Sequence, residues 1–179
     1  MCRVVDWAAD EGWDPGLHDA EAFCAADPDG FLGAFVGDKM AGAVSAVRYG
    51  ERFGFIGLFI VPREQWRFLH GIRLGPAALP LLDGRCVSTD GVPAQQHRYE
   101  RLAGFRTAWR NVRYRGAVGG AGAARGGAPT DSSLLPATAV PLEALAAYDA
   151  THFGARRDAF LQTWSTLPGH RAPVRAEEQ

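Results

Sequence analysis

A chain of 179 residues with 47% hydrophobic and 22% charged side chains has the make-up of a globular protein with room for one domain and some extra. Its 19 basic residues against 20 acidic ones leave a net charge of −1, which excludes a general pull toward nucleic acid or anionic lipid. The three widely spaced cysteines Cys2, Cys24 and Cys86 exclude a disulfide framework and fit a cytoplasmic protein, and no apolar run approaches the roughly 20 residues of a membrane span.

Val4, Val5, Trp7, Ala8 and Trp13 predict a short helix over 3–13, stopped by Gly12 and by Asp14-Pro15-Gly16. A second helix begins near Leu17, sets Ala20, Phe23, Cys24 and Ala26 on one side, and breaks at Asp27-Pro28-Asp29-Gly30. The runs 31–36, 40–49 and 53–61 are β-like and are joined through Gly37-Asp38-Lys39 and Gly50-Glu51, which predicts an antiparallel meander. After Pro62 the pattern is helical over 71–82, β-like over 85–90, helical over 94–102 and β-like over 105–114, so the sheet is expected to be mixed. The run GAVGGAGAARGGAPTDSS at 116–133 reads as a flexible linker. The expected division is therefore a domain over 1–115, the linker, and a helical fragment of a second domain over 134–179. Its two helices, over 141–148 and 157–167, carry Leu142, Leu145, Tyr148, Phe160, Leu161 and Trp164. Two such helices cannot bury those faces alone, so they dock elsewhere or belong to something cut short.

Two blocks carry candidate chemistry. In the first, Gly54-Phe55-Ile56-Gly57-Leu58-Phe59-Ile60-Val61-Pro62 leads through Trp66-Arg67 to a helix start at His70-Gly71-Ile72-Arg73-Leu74. A helix N-terminus presents unpaired N–H groups and a positive dipole end, so this geometry can bind a pyrophosphate, with Arg67 adding a fixed charge. An ordinary strand-to-helix connection carries the same pattern. The second block is Asp90-Gly91-Val92-Pro93-Ala94-Gln95-Gln96, then Tyr99, Gly104-Phe105 and Ala108-Trp109-Arg110-Asn111.

With both blocks in place, and with Asp6-Trp7-Ala8-Ala9 near the start, residues 5–116 resemble the GNAT N-acetyltransferase superfamily, closest to a bacterial two-domain subgroup. The resemblance implies an α/β (α+β) fold, a mixed and mostly antiparallel twisted sheet flanked by helices, followed here by the linker and short C-terminal helices. It implies acetyl-CoA as cosubstrate, with the backbone of Ile60 and Val61 pairing with the pantetheine arm and Arg67, His70, Gly71 and Ile72 facing the pyrophosphate. Tyr99 is then the proton donor to the departing thiolate, and Asp90 or Glu51 is a candidate base for the amine. The acceptor is a small-molecule or protein amine. The loop departs from the family pattern, because Trp66-Arg67 is followed by Phe68-Leu69-His70-Gly71, one residue shorter and without two glycines. Glycine lets backbone approach phosphate, so a catalytically silent GNAT-fold module that binds a ligand or partner is the alternative.

Other chemistries lack their residues. His18, His70, His97, His152 and His170 are scattered without ligand spacing, so no metal is expected, and no Gly-x-Ser-x-Gly elbow surrounds Ser45 or Ser88. Gly120-Ala121-Gly122 imitates a dinucleotide fingerprint, but the glycines after it cannot open a long helix. The arginines between Arg98 and Arg115 read as solvated faces or a CoA phosphate contact, with neither nucleic acid nor membrane as partner. If Phe160, Leu161 and Trp164 stand exposed, self-association into a homodimer is expected.

Overall fold

The computed structural model describes residues 2–16, 18–68, 70–112, 134–169 and 172–175, and of residues 2, 67, 68 and 70 the backbone alone. The chain divides into two compact units, Met1–Asp90 with Pro136–Val174 and Gly91–Leu135 with Arg175–Gln179.

In the first unit α1 (Cys2–Asp10) and α2 (Asp19–Ala26) precede a meander of β1 (Phe31–Val36), β2 (Lys39–Tyr49) and β3 (Phe53–Ile60). A 3-10 turn, Arg63–Phe68, leads into α3 (His70–Ala78), which tightens into a second 3-10 turn at Leu79–Leu82 before β4 (Cys86–Thr89). The strand order is β1-β2-β3-β4. The first three strands are antiparallel and β4 runs parallel to β3, so the predicted mixed sheet forms. The parallel step follows from the crossover through α3, since a hairpin cannot join parallel neighbours. Gly50, at φ 63°, makes the tight turn between β2 and β3 that an L side chain would strain.

Each face of the sheet buries a different set. Val44, Ala46 and Ile56 pack with Leu74, Ala78 and Leu82 from α3 and its 3-10 extension. On the other face Ala43 and Ile60 pack with Val4 and Ala8 of α1. The end of α5 (Leu142–Phe153) meets the same face, and α6 (Asp158–Thr166) packs on α2. Phe153, the last residue of α5, meets Tyr49 edge-on at 5.0 Å between ring centroids, Phe53 at 5.5 Å and Phe55 at 6.3 Å. Phe160 and Leu161 of α6 are buried with Ala22 of α2, and Phe160 stacks on Phe23 at 5.6 Å. The apolar faces of the C-terminal helices thus dock on α2, and Phe160 and Leu161 do not meet the condition of exposure set for self-association.

In the second unit a 3-10 turn, Pro93–Gln95, opens α4 (Gln96–Ala103). The expected strand over 105–114 is not formed: residues 105–112 lie in no strand, with Trp109 67% and Val112 71% exposed, and residues 113 and 114 lie outside the described residues, as does the linker at 116–133. Alternation of apolar and polar residues names a face, but a strand also needs a neighbour to pair with, and the sequence does not say which edge supplies it.

Candidate functional site

The site is built around an irregularity in β3. Ala43 pairs with Ile60 and Ser45 with Gly57, so Val44 alone faces two residues, Leu58 and Phe59. Leu58 takes φ 45°, the left-handed conformation of a bulge residue, which costs an L side chain about 1–2 kcal/mol. The extra residue reverses the parity of everything after it. Before the bulge Gly54 and Ile56 face α3, with a Cβ on Gly54 falling 2.8 Å from Leu82. After it Phe59 and Val61 face α3, while Leu58 and Ile60 turn to α1.

The same stretch loses its partner on the far side. Pairing of β3 with β4 runs from Phe53↔Cys86 to Ile56↔Thr89 and stops. Gly57–Ile60 continues beyond it with no strand on that side among the described residues. Backbone N–H and C=O groups left this way seek another partner, and the carboxyl ends of neighbouring parallel strands are where α/β sheets bind ligands.

From there the chain reaches α3 in a few residues. The Trp66 indole Nε1–H donates to the Val61 carbonyl at 2.6 Å, and the Arg63 guanidinium lies 5.6 Å from the centre of the Trp66 ring, which folds the 3-10 turn against the strand end. Gly71 sits next to the same strand end, since a Cβ there would lie 3.5 Å from Val61 Cγ2 and 4.0 Å from the Phe59 ring. Of the residues assigned to the cofactor by resemblance, Ile60, Val61 and Gly71 are therefore gathered where the bulged strand meets α3. Ile60 is there through its backbone, its side chain being buried under α1. Val61 has committed its carbonyl to Trp66. Ile72 is in the first turn of α3 and 58% exposed. His70 opens that helix and Arg67 lies in the 3-10 turn, and the side chains of both are outside the described residues. The first-turn amides of α3 have no acceptor within the helix and carry the positive end of its dipole, the arrangement that receives phosphate.

Tyr99 belongs to the second unit. It sits in α4 with its ring edge-on to Phe105 at 6.2 Å and 78°, and a Cβ on Gly91 would come within 3.0 Å of that ring. Gly104, at φ 71°, ends α4 by donating its N–H to the Glu100 carbonyl, which turns the chain so that Phe105 meets Tyr99. Burial pushes the Tyr99 phenol up from its usual value, against the pull of the Arg98 charge, so it stays protonated at neutral pH. Asp90, exposed, follows β4 at the end of the first unit. Among the described residues no cluster of His, Cys, Asp or Glu could hold a metal ion, and no helix is long and apolar enough to cross a membrane.

Sequence reasoning missed the bulge. Its signal was present, because Phe53-Gly54-Phe55-Ile56-Gly57-Leu58-Phe59-Ile60 gives no clean alternation after Gly57.

The chain superposes on the crystal structure of a putative acetyltransferase from Pyrococcus horikoshii with a TM-score of 0.69 at 17% identity, covering 97% of this chain and 60% of that one. The fold is an acetyltransferase fold. In sequence it is 34% identical over 110 residues to holothin acyltransferase of Pseudoalteromonas sp. (strain SANK 73390), a match that takes in 62% of this chain and 37% of that protein. The chain thus spans less than two thirds of the length of either protein. No family model matches it. Both comparisons bear out the acetyltransferase resemblance, and the structural one bears out the mixed, mostly antiparallel sheet read from the sequence.

Proposed function

We propose that this chain carries the donor-binding part of an acyltransferase that moves an acyl group from a coenzyme A thioester, acetyl-CoA in the simplest case, to an amine. The observation that carries the reading is the bulged end of β3, which over Gly57–Ile60 has no strand on the β4 side among the described residues and is followed, through one 3-10 turn, by the N-terminus of α3. The residues fit such a donor. The β3 edge offers backbone groups to the amides of a pantetheine arm, the first turn of α3 offers N–H groups to a pyrophosphate, and Gly71 puts no side chain over that entrance. The thioester supplies an activated acyl carbonyl.

For the chain's own part, backbone N–H groups at the bulge that face away from β2 would stabilise charge developing on the carbonyl oxygen as the amine nitrogen forms its bond to carbon. Tyr99, held protonated by burial, is the proposed donor of the proton taken up by sulfur as the carbon–sulfur bond breaks. Asp90 is the proposed base that takes the proton shed by the amine, and the phenolate regains its own from solvent. Transfer is direct, with no acyl group held on the protein.

Ile72→Glu tests the donor site. Ile72 is 58% exposed and a carboxylate in the first turn favours the helix, so the fold should be unharmed. The same charge repels a pyrophosphate, and calorimetric affinity for acetyl-CoA is expected to fall about tenfold or more, with an unchanged melting temperature in the absence of ligand. Binding of acetyl-CoA that Ile72→Glu leaves intact would move the donor elsewhere. No binding at all by the parent chain would favour the silent module.

A further inference from the structure

On the sheet face opposite α3 there is a hollow of about 240 Å³, lined by Val4 of α1, Phe31 and Phe35 of β1, Met40 and Ala43 of β2, and Leu58 of β3. An apolar cavity of about 150 Å³ already accepts benzene, so this hollow has room for a group well beyond the two carbons of an acetyl. Three observations tie it to the transfer site. Leu58 is both a wall of the hollow and the left-handed residue of the bulge. Phe35, another wall, is 62% exposed, so the hollow reaches solvent along the β1 edge. Ser45, 4% exposed, pairs with Phe31 on one side and Gly57 on the other, and its hydroxyl makes no hydrogen bond among the described residues. Gly57 lets the strand approach that oxygen closely, since a Cβ there would lie 3.1 Å from it and 3.4 Å from the Phe55 ring. A buried hydroxyl without a partner awaits one.

We infer that this hollow receives the apolar body of the amine acceptor, with its nitrogen directed toward Leu58 and the Ser45 hydroxyl. The inference rests on the acyl-transfer reading, which places the donor along the other edge of β3 and at α3, leaving the hollow beside α1, entered past Phe35, as the approach to the same bulge. The acceptor class is then a primary amine on a hydrocarbon or aromatic body of about six to eight carbons, in contrast to a polyamine or a sugar amine. A second charge placed in this hollow would be desolvated among apolar side chains with nothing to pair it.

The test is calorimetric binding of butylamine, hexylamine and 1,6-diaminohexane without any donor, beside a separate titration with acetyl-CoA and hexanoyl-CoA. Burial of each added methylene is expected to tighten binding about fourfold, so hexylamine should exceed butylamine by about fifteenfold and the diamine should gain nothing. Gly33→Val narrows the hollow, because a Cβ there would lie 2.8 Å from the Phe35 ring and 3.0 Å from the Met40 methyl, both ends of flexible side chains. In that variant the hexylamine gain should drop below about threefold, with the fold confirmed by thermal melting. Phe35→Ala, at the exposed rim, gives a second variant that should also lose part of the gain. Equal binding of the amines, or a gain that neither variant touches, overturns the inference. A gain of hexanoyl-CoA over acetyl-CoA that disappears in Gly33→Val also overturns it, by giving the hollow to the acyl chain. Failure of both thioesters to bind while the amine series behaves as expected strikes the acyl-transfer reading and leaves the hollow as an amine site.

Discussion

Leu58 combines a left-handed backbone with a side chain that packs under α1. Both properties are needed at once, which makes the position sensitive to the shape of the residue and not only to its size. Leu58→Ile keeps the volume but adds a branch at Cβ, the feature least compatible with positive φ. It is expected to lower stability by about 1–2 kcal/mol in denaturant titration, whereas an isosteric exchange at a regular strand position usually costs less. A variant as stable as the parent would mean that the bulge relaxes into regular strand. Tyr99 illustrates a different residue-scale point. The spacing Tyr99 to Gly104-Phe105 was legible as a motif, and the structure shows a physical basis for it, since the left-handed glycine brings the two rings together at the end of α4.

At the scale of elements, α2 is joined to the sheet by one buried carboxylate. Asp27, 6% exposed, accepts the Arg48 backbone N–H at 2.9 Å, Nε–H at 2.7 Å and Nη2–H at 2.7 Å, tying the end of α2 to the end of β2. The Arg48 side-chain hydrogen bonds outweigh burial and hold the Asp27 carboxyl below its usual range. A carboxylate whose value is lowered in the folded state adds stability that is complete above its unfolded value, near 3.9, and is lost as pH falls through the folded one. Because the Arg48 side chain is 37% exposed, Asp27→Asn should cost about 1–3 kcal/mol at neutral pH, less than a fully buried pair would. The difference from the parent should shrink below about pH 4 in stability measured by urea unfolding; a constant difference would show that the charge is not what matters. The element order from α1 to α4 was legible because breakers such as Asp27-Pro28-Asp29-Gly30 and Gly37-Asp38-Lys39 fall where periodicity changes. The strand expected over 105–114 was not, because its pattern says nothing of a partner ladder. The gathering of Ile60, Val61 and Gly71 followed from their placement at a strand end and a helix start, whereas the bulge depends on which residues of β2 and β3 pair, a register that a single strand does not encode.

For the whole molecule, the decisive packing is between residues far apart in sequence. The apolar sheet face over Tyr49, Phe53 and Phe55 is covered by Phe153, and Ala22 with Phe23 by Phe160, Leu161 and Leu167. A chain ending at residue 115 would leave both surfaces in water, and its cooperative unfolding transition should be lost or moved down by more than the about 3–5 kcal/mol of a single buried aromatic. Circular dichroism melting decides this, and an unchanged transition would show that the C-terminal helices are dispensable. The same separation governs how the protein is made. Strands β1 to β4 leave the ribosome before Phe153 and Phe160 do, and at 5–20 residues per second the interval is about three to fourteen seconds. For that time the part of the sheet over Tyr49, Phe53 and Phe55 lacks the Phe153 that covers it, so the period of greatest risk from stray association comes during synthesis.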